Sequence, residues 1–330
     1  MNILKHWHPV LKTGELGDSP KCITIDGNEL VIFRSKDKIA GYFNICPHRR
    51  MKLSKGKVEN GRLVCPYHSW SFGTDGSCTK PSGGTLTVQE NLFDAKEYLG
   101  LIWIRLHSSD QSFPVLHTEG YTFVSTSEGK ISAPLELVLD NFTEVEHTSS
   151  VHALLGYDKQ SLSEVEVKLE TTEESVRLFN KGKQKQLPFL LTDFLGIDKD
   201  DDFIDDWTTY FSPVHTVYDQ YWINPQTGKE RENKLKIFVF FVPINATTTK
   251  LFAITYLKYQ ILGNWGWNLL LPSALSLLTE LEIKLDVSIL ESLASHEISL
   301  KGTKLTKFDK ALQQNRNRLD KIYRQVERTT

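Results

Sequence analysis

Along the first third of the chain, apolar positions come in short runs closed by turn residues. Leu30-Val31-Ile32-Phe33 and Leu99-Gly100-Leu101-Ile102-Trp103-Ile104 are the clearest of them. Runs of this length, bounded by Asp, Gly and Asn, predict short strands and a β-rich region over residues 1–115. Ser108 to Pro114 reads as a linker, and from residue 116 the pattern changes. A helix is predicted over 134–152. Beyond it, Val165, Val167 and Leu169 alternate with Glu164, Glu166, Lys168 and Glu170, as in a half-exposed strand. Lys234–Phe241 and Leu251–Ile261 continue as strands, and helices are predicted over 272–300 and 306–328. The expectation is therefore an α+β chain in two parts: an all-β domain, 1–115, and a domain of antiparallel sheet closed over by a long helix, 116–330. A sheet and a helix arranged so enclose a cavity of the kind that holds organic ligands.

Composition narrows the field only a little. A chain of 330 residues with a formal charge of −2 can fill two cores, and has no bulk charge that points to nucleic acid or an anionic membrane. The longest apolar stretch, Ile261 to Leu278, is interrupted by Gly263, Asn264, Asn268, Pro272 and Ser273, so it reads as a pocket wall running into a buried helix. The N-terminus has no apolar core of a signal peptide, and a cytoplasmic location is expected. Asp198 to Asp206 is dense in acids and reads as a solvated loop or a lid. Cys22 and Cys78 are expected to be reduced and at least half-buried. His107, His117, His215 and His296 lack ligand spacing. Leu154, Phe189, Phe194, Trp207, Phe211, Tyr221, Trp222, Phe240 and Trp265 are candidates for an aromatic or apolar cavity lining. The basic final helix, from Lys301 to Arg328, reads as one solvated face, with docking of an acidic redox partner as the sharper alternative.

Two segments carry the chemistry of the first domain. Cys46-Pro47-His48 and Cys65-Pro66-Tyr67-His68 each offer one thiolate and one imidazole, with sixteen residues between them. A zinc finger groups its two cysteines in one knuckle and its histidines in another. Alternation of the two types suits a Rieske [2Fe-2S] cluster, in which one iron has two Cys ligands and the other two His. The chain here resembles the Rieske proteins, and among them the oxygenases. The cysteines that form a disulfide in the Rieske subunits of respiratory complexes are replaced by Met51 and Tyr67. The hydroxyl donors of those subunits are replaced by Trp70 and Phe72, which lowers the reduction potential. Arg50 and Ser69 stand where the oxygenases usually carry Gly; Arg50 suggests a turn with no need of positive φ.

The second domain offers Asp140, Glu144 and His147 at i, i+4, i+7, followed by His152. On an unbroken helix His147 and His152 lie about 140° apart, so both can reach one ion only if the helix bends or ends between them. Thr148-Ser149-Ser150-Val151, all poor helix formers, suits such a break. Two His and one carboxylate make the facial triad of mononuclear iron(II) oxygenases. Asp286, an acid in an apolar helical stretch, is the candidate carboxylate.

The segment Asn141, Glu144, His147, His152 and the late Asp286 is similar to the catalytic domain of the Rieske oxygenases, a helix-grip fold. The resemblance implies iron held by His147, His152 and Asp286, with Glu144 and Asn141 as catalytic residues. Glu144 would link the iron to His68 of a neighbouring chain in a homotrimer. It also implies dioxygen as cosubstrate, and NAD(P)H oxidised by a separate ferredoxin or flavin reductase. Hydroxylation or oxidative demethylation of a small aromatic or heterocyclic substrate is expected. Alternatives are a quaternary or methylated amine as substrate, or a Rieske electron carrier with no oxygenase chemistry.

Overall fold

The computed structural model describes residues 2–152, 154–188, 192, 195–259 and 265–326, without the side chains of 265–272. The chain divides into two compact units. One comprises Met1–Pro114 with Val242–Ala246, and the other Val115–Phe241 with Thr247–Thr330.

The first unit is built from a six-stranded and a five-stranded antiparallel sheet. Leu30, Val31, Ile32 and Phe33 are all buried, so their strand, Asn28–Ser35, is covered on both faces. That explains a continuous apolar run where a half-exposed strand would alternate. Two-residue hairpin loops join several strands. Asp26-Gly27, Asn60-Gly61 and Leu99-Gly100 all hold positive φ at both residues, as a loop matching the strand twist requires. Asp-Gly and Asn-Gly announce such loops in sequence. Leu99-Gly100 does not, and the apolar run expected to begin at Leu99 begins as a strand only at Leu101.

The second unit carries a seven-stranded antiparallel sheet in the order Thr122–Ile131, Thr248–Lys258, Glu230–Asn245, Val214–Ile223, Asp202–Phe211, Ser175–Lys183, Glu166–Thr171. Helix α1 (Leu135–Asn141) follows the first of these strands, and helix α2 (Trp265–Glu291) packs along it. Gly129 allows the close approach: a Cβ there would stand 2.8 Å from Ile283 Cγ2. Period-two alternation sends Phe203, Asp205 and Trp207, then Tyr218 and Gln220, then Leu235, Ile237 and Val239, to one face of the sheet.

Several expectations change here. Helix α2 spans Trp265–Glu291 rather than 272–300, and it turns Leu277, Leu281 and Ile289 to solvent while burying Asp286. The helix expected over 134–152, with its break placed between His147 and His152, already ends at Asn141. Half of the acidic stretch is strand: Asp205 is buried in Asp202–Phe211, and Asp201 is held by Arg231 at 2.7 Å. The last helix is composite, with a 3-10 turn at Lys307–Ala311, α3 at Leu312–Arg318 and a π-turn at Leu319–Arg324. Its basic residues are largely engaged with this unit. Arg316 pairs with Asp140, Arg324 with Glu136, and the ammonium groups of Lys307 and Lys310 with the carbonyls of Val165 and Val167. Those contacts tie the segment to its own unit, while Lys310 stays exposed. Among the described residues, no helix is long and apolar enough to cross a membrane.

His215 lies inside this unit, stacked between Tyr210 and Phe240, and its Nδ1–H donates to the Pro213 carbonyl. Burial pushes its pKa down to about 4 from the usual 6.5, against a smaller upward pull from that carbonyl. The unfolded chain therefore takes up a proton before the folded one. Stability from neutral His215 is complete above the unfolded pKa and falls as the pH drops from about 6.5 towards 4. His215→Gln keeps a donor for Pro213 but cannot titrate. In urea melts of the two proteins, the wild type should lose about 2 kcal/mol more than the variant between neutral pH and pH about 5. Equal losses would remove His215 from the acid response.

Candidate metal centres

The two Cys/His loops of the first unit close in the same way. Cys46 N–H donates to Met51 O at 2.8 Å and Cys65 N–H to Trp70 O at 2.9 Å; Arg50 N–H returns to Cys46 O and Ser69 N–H to Cys65 O. The fifth residue of each loop is left-handed, with φ of 57° at Arg50 and 54° at Ser69. The expectation that Arg50 needs no positive φ is thus overturned. The pair of backbone bonds closing each loop forces that conformation, and both residues adopt it in place of the usual glycine. Cys46 and Cys65 are buried. Burial, together with the facing Cys65 thiol, pushes the Cys46 thiol up to about 11, so a thiolate there calls for a cation. His48 and His68 lie side by side, ring centroids 4.5 Å apart, outside the thiols. Trp70 stacks on His48 at 4.7 Å, and Tyr67 lies tilted against His68 at 3.8 Å. Two buried thiols beneath two adjacent imidazoles is a donor set that suits a cluster with one Cys-bound and one His-bound iron. Cys22 and Cys78 are both free; Cys78 is buried, whereas Cys22 is exposed, contrary to expectation.

In the second unit α1 delivers the chain to a second centre. After Asn141 it unwinds, and a 3-10 turn at His147–Ser149 presents His147. Glu144 caps that turn: one carboxylate oxygen accepts from Glu146 N–H at 2.6 Å, and the other accepts a hydrogen bond from His147 Nδ1–H. The break lets His152 come round, as an ideal helix could not. His147 Nε2 and His152 Nε2 are 3.3 Å apart, and Asp286 Oδ1 lies 3.3 Å from the first and 3.1 Å from the second. With metal bonds of about 2.1 Å, neighbouring ligand atoms on one ion stand about 3.0–3.4 Å apart, so the triangle fits a single small ion. Each corner is an atom able to ligate a metal. Burial opposes a charge on His147, yet the Asp286 and Glu144 carboxylates outweigh it and raise the imidazole to about 9. Asp286, despite its burial, is held far below the usual carboxylate range by the two imidazoles. Both shifts express the same need for positive charge at the point where the donors meet.

Asn141 Nδ2 donates to Asp286 Oδ1 at 3.0 Å, which fixes the carboxylate. Glu282, one turn earlier on α2, accepts from Leu154 N–H at 3.1 Å and sets its other oxygen 3.6 Å from His152 Nδ1. The Lys185 ammonium is held by the carbonyls of Thr148 and His152 and ties down the loop between the two histidines. Neither residue was anticipated. Glu282 could have been found from its i−4 spacing to Asp286; Lys185 carries no sequence signal. Asp140, expected on one face with Glu144 and His147, turns instead to Arg316.

A cavity of about 160 Å³ opens beside the triad, between the sheet and α2. Leu154 and Trp207 line it as expected, and Phe203 and Tyr218 were missed. Phe211 and Trp222 are packed into the core, while Phe240 stacks on His215 and Tyr221 under Lys234. The side chains of Phe189, Phe194 and Trp265 lie outside the described residues. One acid faces the apolar interior at a distance from the triad. Burial pushes Asp205 up to about 6, opposed by a hydrogen bond from Gln220 and by the imidazoles of His152 and His147.

Residues 6–88 match the Rieske [2Fe-2S] domain, and residues 131–264 match the vanillate O-demethylase oxygenase C-terminal domain. Methylxanthine N1-demethylase NdmA of Pseudomonas putida is 31% identical over 176 residues, 45% of this chain and 47% of that protein. Chlorophyllide a oxygenase of Arabidopsis thaliana is 35% identical over 153 residues, 44% of this chain and 28% of its own. The matched part thus spans about half, or less, of these relatives' length. Among solved structures, dicamba monooxygenase bound to 3,6-dichlorosalicylic acid superposes with a TM-score of 0.81 at 21% identity, covering 98% of both chains. Pseudomonas putida NdmA with caffeine does so with a TM-score of 0.74 at 22% identity, covering 98% of this chain and 92% of that one. Those two likenesses establish the fold alone. The two domain matches and the sequence relatives lead to one conclusion: the chain belongs to the Rieske oxygenases.

Proposed function

We propose that this protein is the oxygenase component of a Rieske system that hydroxylates or oxidatively demethylates a small aromatic or heterocyclic compound. In this reading residues 1–115 hold the [2Fe-2S] cluster through Cys46, His48, Cys65 and His68. Residues 116–330 hold a mononuclear iron through His147, His152 and Asp286. The observation that carries it is the triangle of three potential ligand atoms, two imidazole nitrogens and a carboxylate oxygen, 3.1–3.3 Å on a side, at the end of an apolar cavity. Bound iron(II), supplied with electrons from the cluster, provides the reduction and activation of dioxygen.

The chain's own residues do the rest. Glu144 keeps the proton on His147 Nδ1, leaving Nε2 free as a donor towards the metal. Asn141 orients Asp286. Leu and Phe side chains exclude water from the substrate position. Electrons come from NAD(P)H through a separate reductase, since the chain has no Gly-x-Gly-x-x-Gly fingerprint. A homotrimer would set His68 of one chain against Glu144 of the next. Exposed apolar side chains on the cluster loops (Ile45, Tyr67) and on α2 (Leu277, Leu281, Ile289) favour self-association.

Three outcomes test this. The loaded protein should contain three irons per chain, and His147→Ala should contain two with the visible Rieske spectrum unchanged; two irons in the wild type would leave only an electron carrier. Glu144→Gln should retain all three irons yet lose about two orders of magnitude or more of coupled turnover. Wild-type turnover in that variant would end its bridging role. Oxygen uptake with a surrogate reductase and NADH, measured over aromatic, methoxy and methylamino compounds, should rise above the substrate-free rate for at least one class. A flat response across the panel would count against the reaction proposed.

A further inference from the structure

Apart from the two imidazoles of the metal centre, the ionisable side chains described along the cavity walls are acids and one tyrosine. Glu144, Asp205, Glu282 and Asp286 line the cavity, and no Lys or Arg does among the described residues. Residues 189–194 and 260–272 contain no Lys or Arg in sequence either. Three of the four acids serve the metal centre: Asp286 and Glu144 directly at its imidazoles, Glu282 beside His152. Asp205 does not. It belongs to a polar row running across the sheet, Asn180–Asp205–Gln220, each residue register-paired with the next on the neighbouring strand. All three are buried, and the row then passes to Leu235.

The hydrogen bonds of this row are one-sided. Asn180 Nδ2 donates to the Asp205 backbone carbonyl at 3.0 Å, and Gln220 Nε2 donates to Asp205 Oδ1 at 3.0 Å. No described residue donates to Asp205 Oδ2, which opens to the cavity although the residue as a whole is only 5% exposed. Gln220 Oε1 also lacks a partner. The nearby base Lys185 is committed to the carbonyls of Thr148 and His152. A buried carboxylate held in place on one oxygen, with no donor on the other and no Lys or Arg beside it among the described residues, is costly unless a ligand completes it. The remaining wall includes Phe203, Trp207 and Tyr218, whose ring faces attract a cation.

We propose that the cavity takes a protonated organic amine, and that Asp205, steadied by Gln220, is the group that recognises its N–H. The inference deepens the oxygenase reading and rests on it only for calling this ligand the substrate. An anionic aromatic carboxylate finds no Lys or Arg in the described walls and would meet Asp205, the one acid not engaged by the metal centre. The volume, about 160 Å³, suits a single ring, since an engineered cavity of about 150 Å³ accepts benzene.

The test is binding to the iron-loaded holoprotein, read by calorimetry without turnover. Three probes of one shape are compared near neutral pH: N,N-dimethylbenzylamine, which is protonated; its carbon isostere isobutylbenzene; and phenylacetate. The amine should bind about tenfold or more tightly than the isostere, as one charge-assisted hydrogen bond allows, and phenylacetate most weakly. Asp205→Asn should erase the preference for the amine while leaving isobutylbenzene affinity unchanged. Failure of the amine to outbind its isostere, or tightest binding by phenylacetate, overturns the proposal on the wild-type protein alone. So does an Asp205→Asn variant that keeps the preference. None of these readings depends on oxygen uptake, so the oxygenase reading stands or falls separately on the iron count.

Discussion

Three electron-rich atoms, two imidazole nitrogens and a carboxylate oxygen, are brought within 3.3 Å of one another in the interior of the second unit. Asn141 donates to the carboxylate, yet three ligand-type atoms converging in a poorly solvated place set a demand for positive charge against the cost of burying it. A small divalent cation resolves that conflict, and much of the surrounding structure can be understood as support for it. Helix α1 stops at Asn141 so that His147 and His152 need not share one helical face. Glu144 and Glu282 stand behind the two imidazoles, and Asn141 stands behind the carboxylate. Lys185 fastens the loop joining the histidines through its backbone carbonyls rather than through charge. The same conflict explains an inversion on α2, where an aspartate is buried and three aliphatic side chains face outward.

The cluster loops solve a different problem by repetition. Each uses a Cys-Pro start, a left-handed fifth residue and the same two backbone bonds to hold one thiol inward and one imidazole outward. Arg50 and Ser69 occupy the left-handed positions at some conformational cost, where glycine would sit freely. Geometry at the loops is conserved within the molecule even though the residues differ. The histidine falls third in one loop and fourth in the other, which lets the two rings meet at 4.5 Å.

The cavity takes its character from strand alternation. Apolar residues project from Glu230–Asn245, while Asp205 and Gln220 project at paired register positions from the two strands beyond. A hydrophobic wall with one acid anchored on one side is a selective surface, because an apolar wall binds most small molecules weakly while an unmatched acceptor discriminates strongly.

By itself the sequence determined the two donor sets and their order along the chain. Ligand chemistry restricts residue type and spacing, and the Cys-Pro-His and Cys-Pro-Tyr-His boxes are local. So were the strands around Leu30–Phe33 and the Asp-Gly and Asn-Gly loops, since twist and burial act there over a few residues. The left-handed state of Arg50 and Leu99 was not visible, because it is imposed by bonds that close only in the folded loops. Asp286, 134 residues from His152, shows in sequence as an acid out of place; that it meets both imidazoles follows from the way α2 lies on the sheet past Gly129. Asp205 read as part of a solvated acidic stretch, and Arg316 as part of a charged helix face. Only tertiary packing decided that one lines the cavity and the other neutralises Asp140, because burial and charge pairing belong to neighbours that the linear order keeps apart.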